Sequence, residues 1–124
     1  AYWLSEDWRK THLRYYPWYG RGYVQLTWEK NYARADEELH LNGALVANPD
    51  LALKSDISAR IITWGMEAGA FTGKKLADYL PLSGRAGFDA YREARRIING
   101  TDAAEKIAKE AQSFEAALVE GDWR

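Results

Sequence analysis

The stretch DAAEKIAKEAQSFEAAL, residues 102–118, decides the fold class. Within it Ala104, Ile107, Ala108, Ala111, Phe114 and Leu118 recur at intervals of three and four residues. That spacing puts side chains on one face of an α-helix. Asp102 and Glu105 stand three apart, the spacing of a capping box with Asp in the place of Ser or Thr. The sequence therefore predicts a C-terminal helix that opens at Asp102 and turns those six apolar residues toward the core.

Working back toward the N-terminus, the same pattern repeats. A helix over residues 88–98 is expected to stop at Asn99-Gly100. A loop over residues 81–87 precedes it. Before that, Thr72 is expected to cap a short helix over residues 74–79, and Gly69 and Gly73 bracket a loop. Ser55 or Asp56 opens a helix that runs to about Met66 and buries Ile57, Ile61, Ile62 and Trp64. Asn48-Pro49 starts a new segment and Asn42-Gly43 marks a turn. Thr27 has the character of an N-cap for a helix over residues 28–39, with Glu29 at its positive end. Ser5 is a cap for a first short helix whose opening turn carries Glu6 and Asp7. Only residues 15–26 break the pattern. Pro17, Gly20 and Gly22 interrupt any helix, and Tyr23-Val24-Gln25-Leu26 has strand character. The expected fold is mostly α, one domain over residues 1–124, with a loop-rich aromatic N-terminal third.

Ten of the 17 aromatic residues lie in that third: Tyr2, Trp3, Trp8, Tyr15, Tyr16, Trp18, Tyr19, Tyr23, Trp28 and Tyr32. Aromatics with a polar tip suit a surface that is half buried and half wet. A sugar ring, with apolar C–H faces and polar edges, fits such a wall; packing is the other role open to each ring. The formal net charge of -1 does not favour nucleic acid or an anionic membrane as partner. No cysteine is present and only His12 and His40 could offer imidazole, so neither a disulfide scaffold nor a Cys/His metal site is expected. No cofactor is called for, no run of 18 apolar residues occurs, and a monomer is expected. No signal-peptide pattern is seen.

The most specific string is Tyr19-Gly20-Arg21-Gly22-Tyr23-Val24-Gln25-Leu26-Thr27, followed by Asn31-Tyr32. Gln and Asn amides offer both donors and acceptors, which a site for neutral acetamido sugars needs. Gln25 and Thr27, two apart, share a side if the chain is extended, and Asn31 lies one helical turn beyond. These three side chains are thus candidates for one groove wall. Some residues of the string have a plain role as well: Thr27 as a cap, and Gly20 and Gly22 as a means to a tight backbone. Arg21 can bind substrate or a carboxylate through its planar fork, or pin the loop through a salt bridge. Tyr19 can contact sugar or pack.

This string resembles the signature of the family 19 chitinases and of related phage endolysins, within the lysozyme-like superfamily. Asn48-Pro49-Asp50-Leu51, the Trp-containing helix around residues 59–66, and Ile97-Ile98-Asn99-Gly100 resemble further family segments in the same order. The likeness spans about residues 15–118. It lies nearer the endolysin branch, because the cysteines of the plant enzymes are missing. It implies a lysozyme-like helical domain that hydrolyses β-1,4 bonds of N-acetylated sugar polymers, peptidoglycan or chitin, at the cell wall or outside the cell. Tyr19, Arg21, Gln25, Thr27 and Asn31 would line the substrate cleft. Asn99 would help place the attacking water or the sugar, its other role being that of helix terminator.

The resemblance also implies an inverting mechanism. One carboxylic acid protonates the leaving oxygen, and a carboxylate roughly 6.5–9.5 Å away activates water on the opposite face. The family's acid lies in a His-Glu-Thr segment well upstream of the Tyr-Gly-Arg-Gly loop, and these 124 residues contain no such segment. The acid is therefore expected upstream of Ala1, and the chain is expected to lack its N-terminal portion. Glu6 falls where the family's base is expected, with Asp7 the adjacent alternative; both also suit a helix first turn. Lys106 stands where the family carries a cleft arginine, or is a solvated lysine. A domain that grips glycan or a protein without turning anything over is the alternative to an enzyme.

Overall fold

The computed structural model describes residues 5–122 and is mostly helical. Seven α-helices are named in chain order: α1 (Glu6–His12), α2 (Glu29–Glu38), α3 (Ala44–Ala47), α4 (Ser55–Ala68), α5 (Phe88–Ala94), α6 (Arg96–Asn99) and α7 (Ala104–Glu120). Two 3-10 turns, Pro49–Leu53 and Leu76–Asp78, join them. Among the described residues there is no strand, and no helix is long and apolar enough to cross a membrane. The chain divides into two compact units, with the boundary between Thr63 and Trp64 inside α4.

The first unit buries Leu26, Tyr32, Ala35, Leu39, Leu45, Ala52, Ile57 and Ile61. Helix α1 starts as its sequence dictates, with the Trp8 N–H donating to Ser5 Oγ at 3.2 Å. Helix α2 packs on α3. The Asp36 carboxylate of α2 is buried and accepts from the backbone N–H groups of Gly43 (2.7 Å), Leu45 (2.7 Å) and Val46 (3.1 Å). These include donors at the start of α3, which no side chain of its own caps. Asn42 and Gly43 form the predicted turn, both at positive φ.

Thr27 does not cap α2. The cap position is Trp28, at φ +76° and with no side-chain cap. The Thr27 hydroxyl is spent on the Gln25 carbonyl at 2.9 Å, so it cannot serve the helix N–H groups. Trp28 is held instead by its N–H to the Trp18 carbonyl (2.9 Å) and by its ring against Tyr15, 4.1 Å between centroids. Residues 23–26 form no strand either. One antiparallel bridge joins Arg21 to Leu26, and Gln25 turns back at φ +55°.

In the second unit α5 packs against α7, with Ile97, Ala104 and Ala108 buried. The helix predicted over residues 88–98 is divided at Arg95, whose carbonyl receives the N–H groups of both Ile98 (3.1 Å) and Asn99 (3.0 Å). That sharing tightens the turn. Thr72 does not open the Leu76–Asp78 turn; its hydroxyl donates to the Ile97 carbonyl at 2.9 Å, and the Asp78 carboxylate accepts the Lys75 N–H at 2.9 Å. Asp102 does not cap α7. The cap residue is Ala103 at φ +53°, and the Asp102 carboxylate accepts from Asn99 Nδ2 at 3.3 Å.

The apolar stripe of α7 is only partly used. Ala104 and Ala108 are buried, but Phe114 is 72% exposed and Leu118 49%. Helical spacing fixes which residues share a face; it does not say how much of that face finds a partner.

Candidate functional site

The turn from Tyr19 to Thr27 is built around Arg21, only 4% exposed. Its Nη1 donates to the Pro17 carbonyl (2.6 Å) and to the Tyr32 hydroxyl (3.1 Å), and its Nε to Asp50 (2.9 Å). The guanidinium lies 3.7 Å from the centroid of the Tyr19 ring. The Tyr32 hydroxyl in turn donates to the Tyr19 carbonyl at 2.7 Å. Burial works against the charge, but Tyr32, Tyr19 and Asp50 outweigh it and hold the Arg21 pKa above its usual value. Of the two roles open to Arg21, these partners describe the one that pins the loop.

Gly22 sits at φ +76°, and a Cβ there would meet Ser58 Oγ at 2.6 Å and the Ala52 carbonyl at 2.7 Å. The glycine thus lets the turn lie against α4, where Ser58 Oγ accepts the Tyr23 N–H at 2.7 Å.

Gln25 and Thr27 approach the same point, though not by the extended geometry that two-residue spacing suggests. Gly20 presents a bare Cα to them. A Cβ at that position would lie 2.8 Å from Gln25 Oε1 and 3.4 Å from Thr27 Oγ1. Gln25 Nε2 donates to the Gly22 carbonyl at 3.0 Å, and Asn31 Nδ2 to the Thr27 carbonyl at 2.8 Å. With each amide nitrogen engaged in this assignment of the amides, Gln25 Oε1 and Asn31 Oδ1 have no partner among the described residues. Gln25 is exposed, and Thr27 and Asn31 are half-buried. Gln25 Oε1 and Thr27 Oγ1 thus form a short polar ledge against Gly20, with Asn31 bonded to the backbone at its Thr27 end.

Glu6 lies in the same unit. Its Oε1 receives the Lys10 ammonium at 2.9 Å and the Tyr16 hydroxyl at 3.2 Å. Lys10, by bond and by charge, and then Tyr16 hold its carboxyl below the usual range. The Tyr16 ring stacks on Tyr19, 6.2 Å between centroids, and Arg9 Nη1 donates to the Tyr19 hydroxyl at 3.2 Å. Asp7 is exposed, and its carbonyl accepts the Thr11 hydroxyl at 3.0 Å. Glu6, Tyr16 and Tyr19 thus form one cluster. The sequence marks Tyr16 only as one ring of the aromatic wall and Asp50 only through its motif, and gives no sign that Tyr16 reaches Glu6 or that Arg9 reaches Tyr19; only the i,i+4 spacing of Glu6 and Lys10 is legible.

Asn99 and Lys106 are exposed and belong to the second unit. That unit also carries an open apolar groove of about 1040 Å³ between the loop at Leu82 and the Phe114–Val119 end of α7. No group of three or more His, Asp or Glu side chains is placed to hold a metal ion among the described residues. No family model, curated protein or solved structure matches the chain.

Proposed function

We propose that this chain is the saccharide-holding part of a lysozyme-like glycoside hydrolase that cleaves β-1,4 bonds in a polymer of N-acetylated sugars, peptidoglycan or chitin, with inversion. The observation that carries the reading lies at the ledge and its Thr27 end: two amide oxygens, Gln25 Oε1 and Asn31 Oδ1, left as acceptors because their amide nitrogens are bonded to backbone carbonyls. Acetamido N–H and sugar O–H groups are donors that such acceptors satisfy, with no net charge needed. The likeness of the Tyr19–Thr27 string to the family 19 chitinases supports the same class, and Glu6, kept ionised by Lys10, suits the base of an inverting pair. The acid of that pair is not matched by any His-Glu-Thr string in these residues.

Calorimetric titration with chitooligosaccharides and with muropeptides tests the ledge, and loss of turbidity of cell-wall suspensions by the native protein tests turnover. Binding that is lost in the Gln25→Ala, Asn31→Ala double variant is the expected result; no binding by the wild type overturns the reading. The lack of the His-Glu-Thr string favours one second reading, a domain that grips the polymer without cutting it. Binding with no release of soluble sugar identifies that case.

A further inference from the structure

We infer that Tyr16 and Lys10 are positioning residues for Glu6, fixing the carboxylate so that Oε2 alone faces the water it activates. The inference rests on the proposed hydrolase reading. Both donors reach the same oxygen: Lys10 Nζ lies 2.9 Å from Oε1 and the Tyr16 hydroxyl 3.2 Å from it. Oε2 has no partner among the described residues. Glu6 is 61% and Lys10 51% exposed, and two donors from different segments on one oxygen narrow the carboxylate's rotation more than either does alone. Lys10 alone, one turn along the same short helix, would leave an ordinary surface pair of little consequence. Tyr16 changes that, because it comes from the loop after the helix and is itself braced on Tyr19. Tyr19 is in turn held by Arg9 at its hydroxyl and by Arg21 beneath its ring. The orientation of the base is therefore tied to the buried hub of the Tyr19–Thr27 turn.

In the step this serves, Oε2 takes a proton from water. The water oxygen bonds to the anomeric carbon as that carbon's bond to the leaving oxygen breaks. The electron pair departs with the leaving oxygen, which is protonated by the carboxylic acid of the proposed pair. Among the described residues, the charged and titratable groups that act on Glu6 are Lys10 and Arg9 on α1 and Tyr16 on the loop, with Asp7 next to it in sequence and Tyr19 stacked on Tyr16.

The test compares the native protein with its Tyr16→Phe, Lys10→Gln and Glu6→Gln variants, measuring kcat, KM and the pH–rate profile on a soluble chitooligosaccharide or muropeptide. Tyr16→Phe keeps the ring on Tyr19 and removes only the hydroxyl. It is expected to lower kcat about tenfold with KM unchanged, and to move the acid limb of the profile to higher pH, since the ionised carboxylate loses a donor. Lys10→Gln is expected to move that limb in the same direction, and Glu6→Gln to lower kcat by about a hundredfold or more. A Tyr16→Phe enzyme with wild-type kcat, or with lower kcat but an unmoved acid limb, overturns the positioning role and leaves the hydrolase reading standing. A wild-type protein that binds saccharide but never turns it over overturns both the hydrolase reading and this role.

Discussion

Arg21 Nε donates to Asp50 Oδ1 across 2.9 Å, tying the Tyr19–Thr27 turn to the 3-10 turn Pro49–Leu53. The two ends of the pair differ. Arg21 is 4% exposed, whereas Asp50 is 53% exposed. Water shares the Asp50 charge, so Asp50→Asn is expected to cost no more than about 1 kcal/mol. Arg21→Met leaves the Pro17 carbonyl without its 2.6 Å donor and Tyr32 without its cation. The expected cost is about 2–3 kcal/mol, below the ~3–5 kcal/mol of a pair buried at both ends. Urea denaturation of the two variants measures both, and equal losses would contradict the asymmetry.

Asp36 supplies the second prediction. Its carboxylate is 4% exposed and is the acceptor for three backbone N–H groups at the start of α3. Asp36→Ala strands those donors and is expected to cost about 2–4 kcal/mol, while Asp36→Asn keeps one acceptor oxygen and loses about half as much. Denaturant midpoints, with amide exchange at Leu45 as a local probe, check the order of the two variants.

These two contacts also show where sequence reading stops. Ser5, the helix over residues 29–38 and the Asn42-Gly43 turn were legible, because each depends on a neighbour within a few residues. Asp36 was not, because its partners lie seven to ten residues on and are backbone groups that carry no sequence mark. Thr27 and Asp102 have good capping side chains that chose other partners, the Gln25 carbonyl and the Asn99 amide. Phe114 and Leu118 keep helical spacing but stand exposed, since periodicity names a face and not what covers it. Within the candidate site, the amide and hydroxyl chemistry of Gln25, Thr27 and Asn31 is legible in the sequence. The approach of Gln25 and Thr27 comes from the bare Cα of Gly20 and the reversal at Gln25, which spacing alone could not give.

A pH dependence follows from Tyr91 and Glu115. The Tyr91 hydroxyl donates to Glu115 Oε2 at 2.6 Å, and the Ala86 N–H donates to the same oxygen at 3.0 Å. Burial first, then Glu115, pushes the Tyr91 phenol up to about 12. Tyr91 first, then Ala86, holds the Glu115 carboxyl below its usual range. The raised phenol contributes stability that is whole below about pH 10 and lost as pH climbs toward about 12. The lowered carboxyl contributes stability that is whole above about pH 4.3 and lost as pH falls through its folded value. The melting-temperature difference between wild type and Tyr91→Phe is therefore expected to be widest between about pH 5 and about pH 10, and to narrow on both sides. A difference that does not narrow below about pH 4 or above about pH 10 would show the hydroxyl to be uncoupled from Glu115.

Thr27 separates the ledge's chemistry from its packing. The hydroxyl donates to the Gln25 carbonyl at 2.9 Å, and Gln25 stands at φ +55°, a left-handed conformation that costs a non-glycine residue roughly 1–2 kcal/mol. Removing the hydroxyl is expected to let Gln25 relax and to move its Oε1 away from Gly20. Thr27→Val keeps the volume and deletes the donor, so the stability cost is expected to be about 0.5–1.5 kcal/mol. On the proposed function, in which Gln25 and Asn31 hold the saccharide, affinity is expected to fall about tenfold, equivalent to about 1.4 kcal/mol. Thr27→Ser restores the hydroxyl and is expected to bind as wild type does. Calorimetric titration of the three proteins with one chitooligosaccharide decides it. If Thr27→Val binds as tightly as Thr27→Ser, the hydroxyl does not hold the ledge, and the alignment of Gln25 must come from its own Nε2 bond to Gly22.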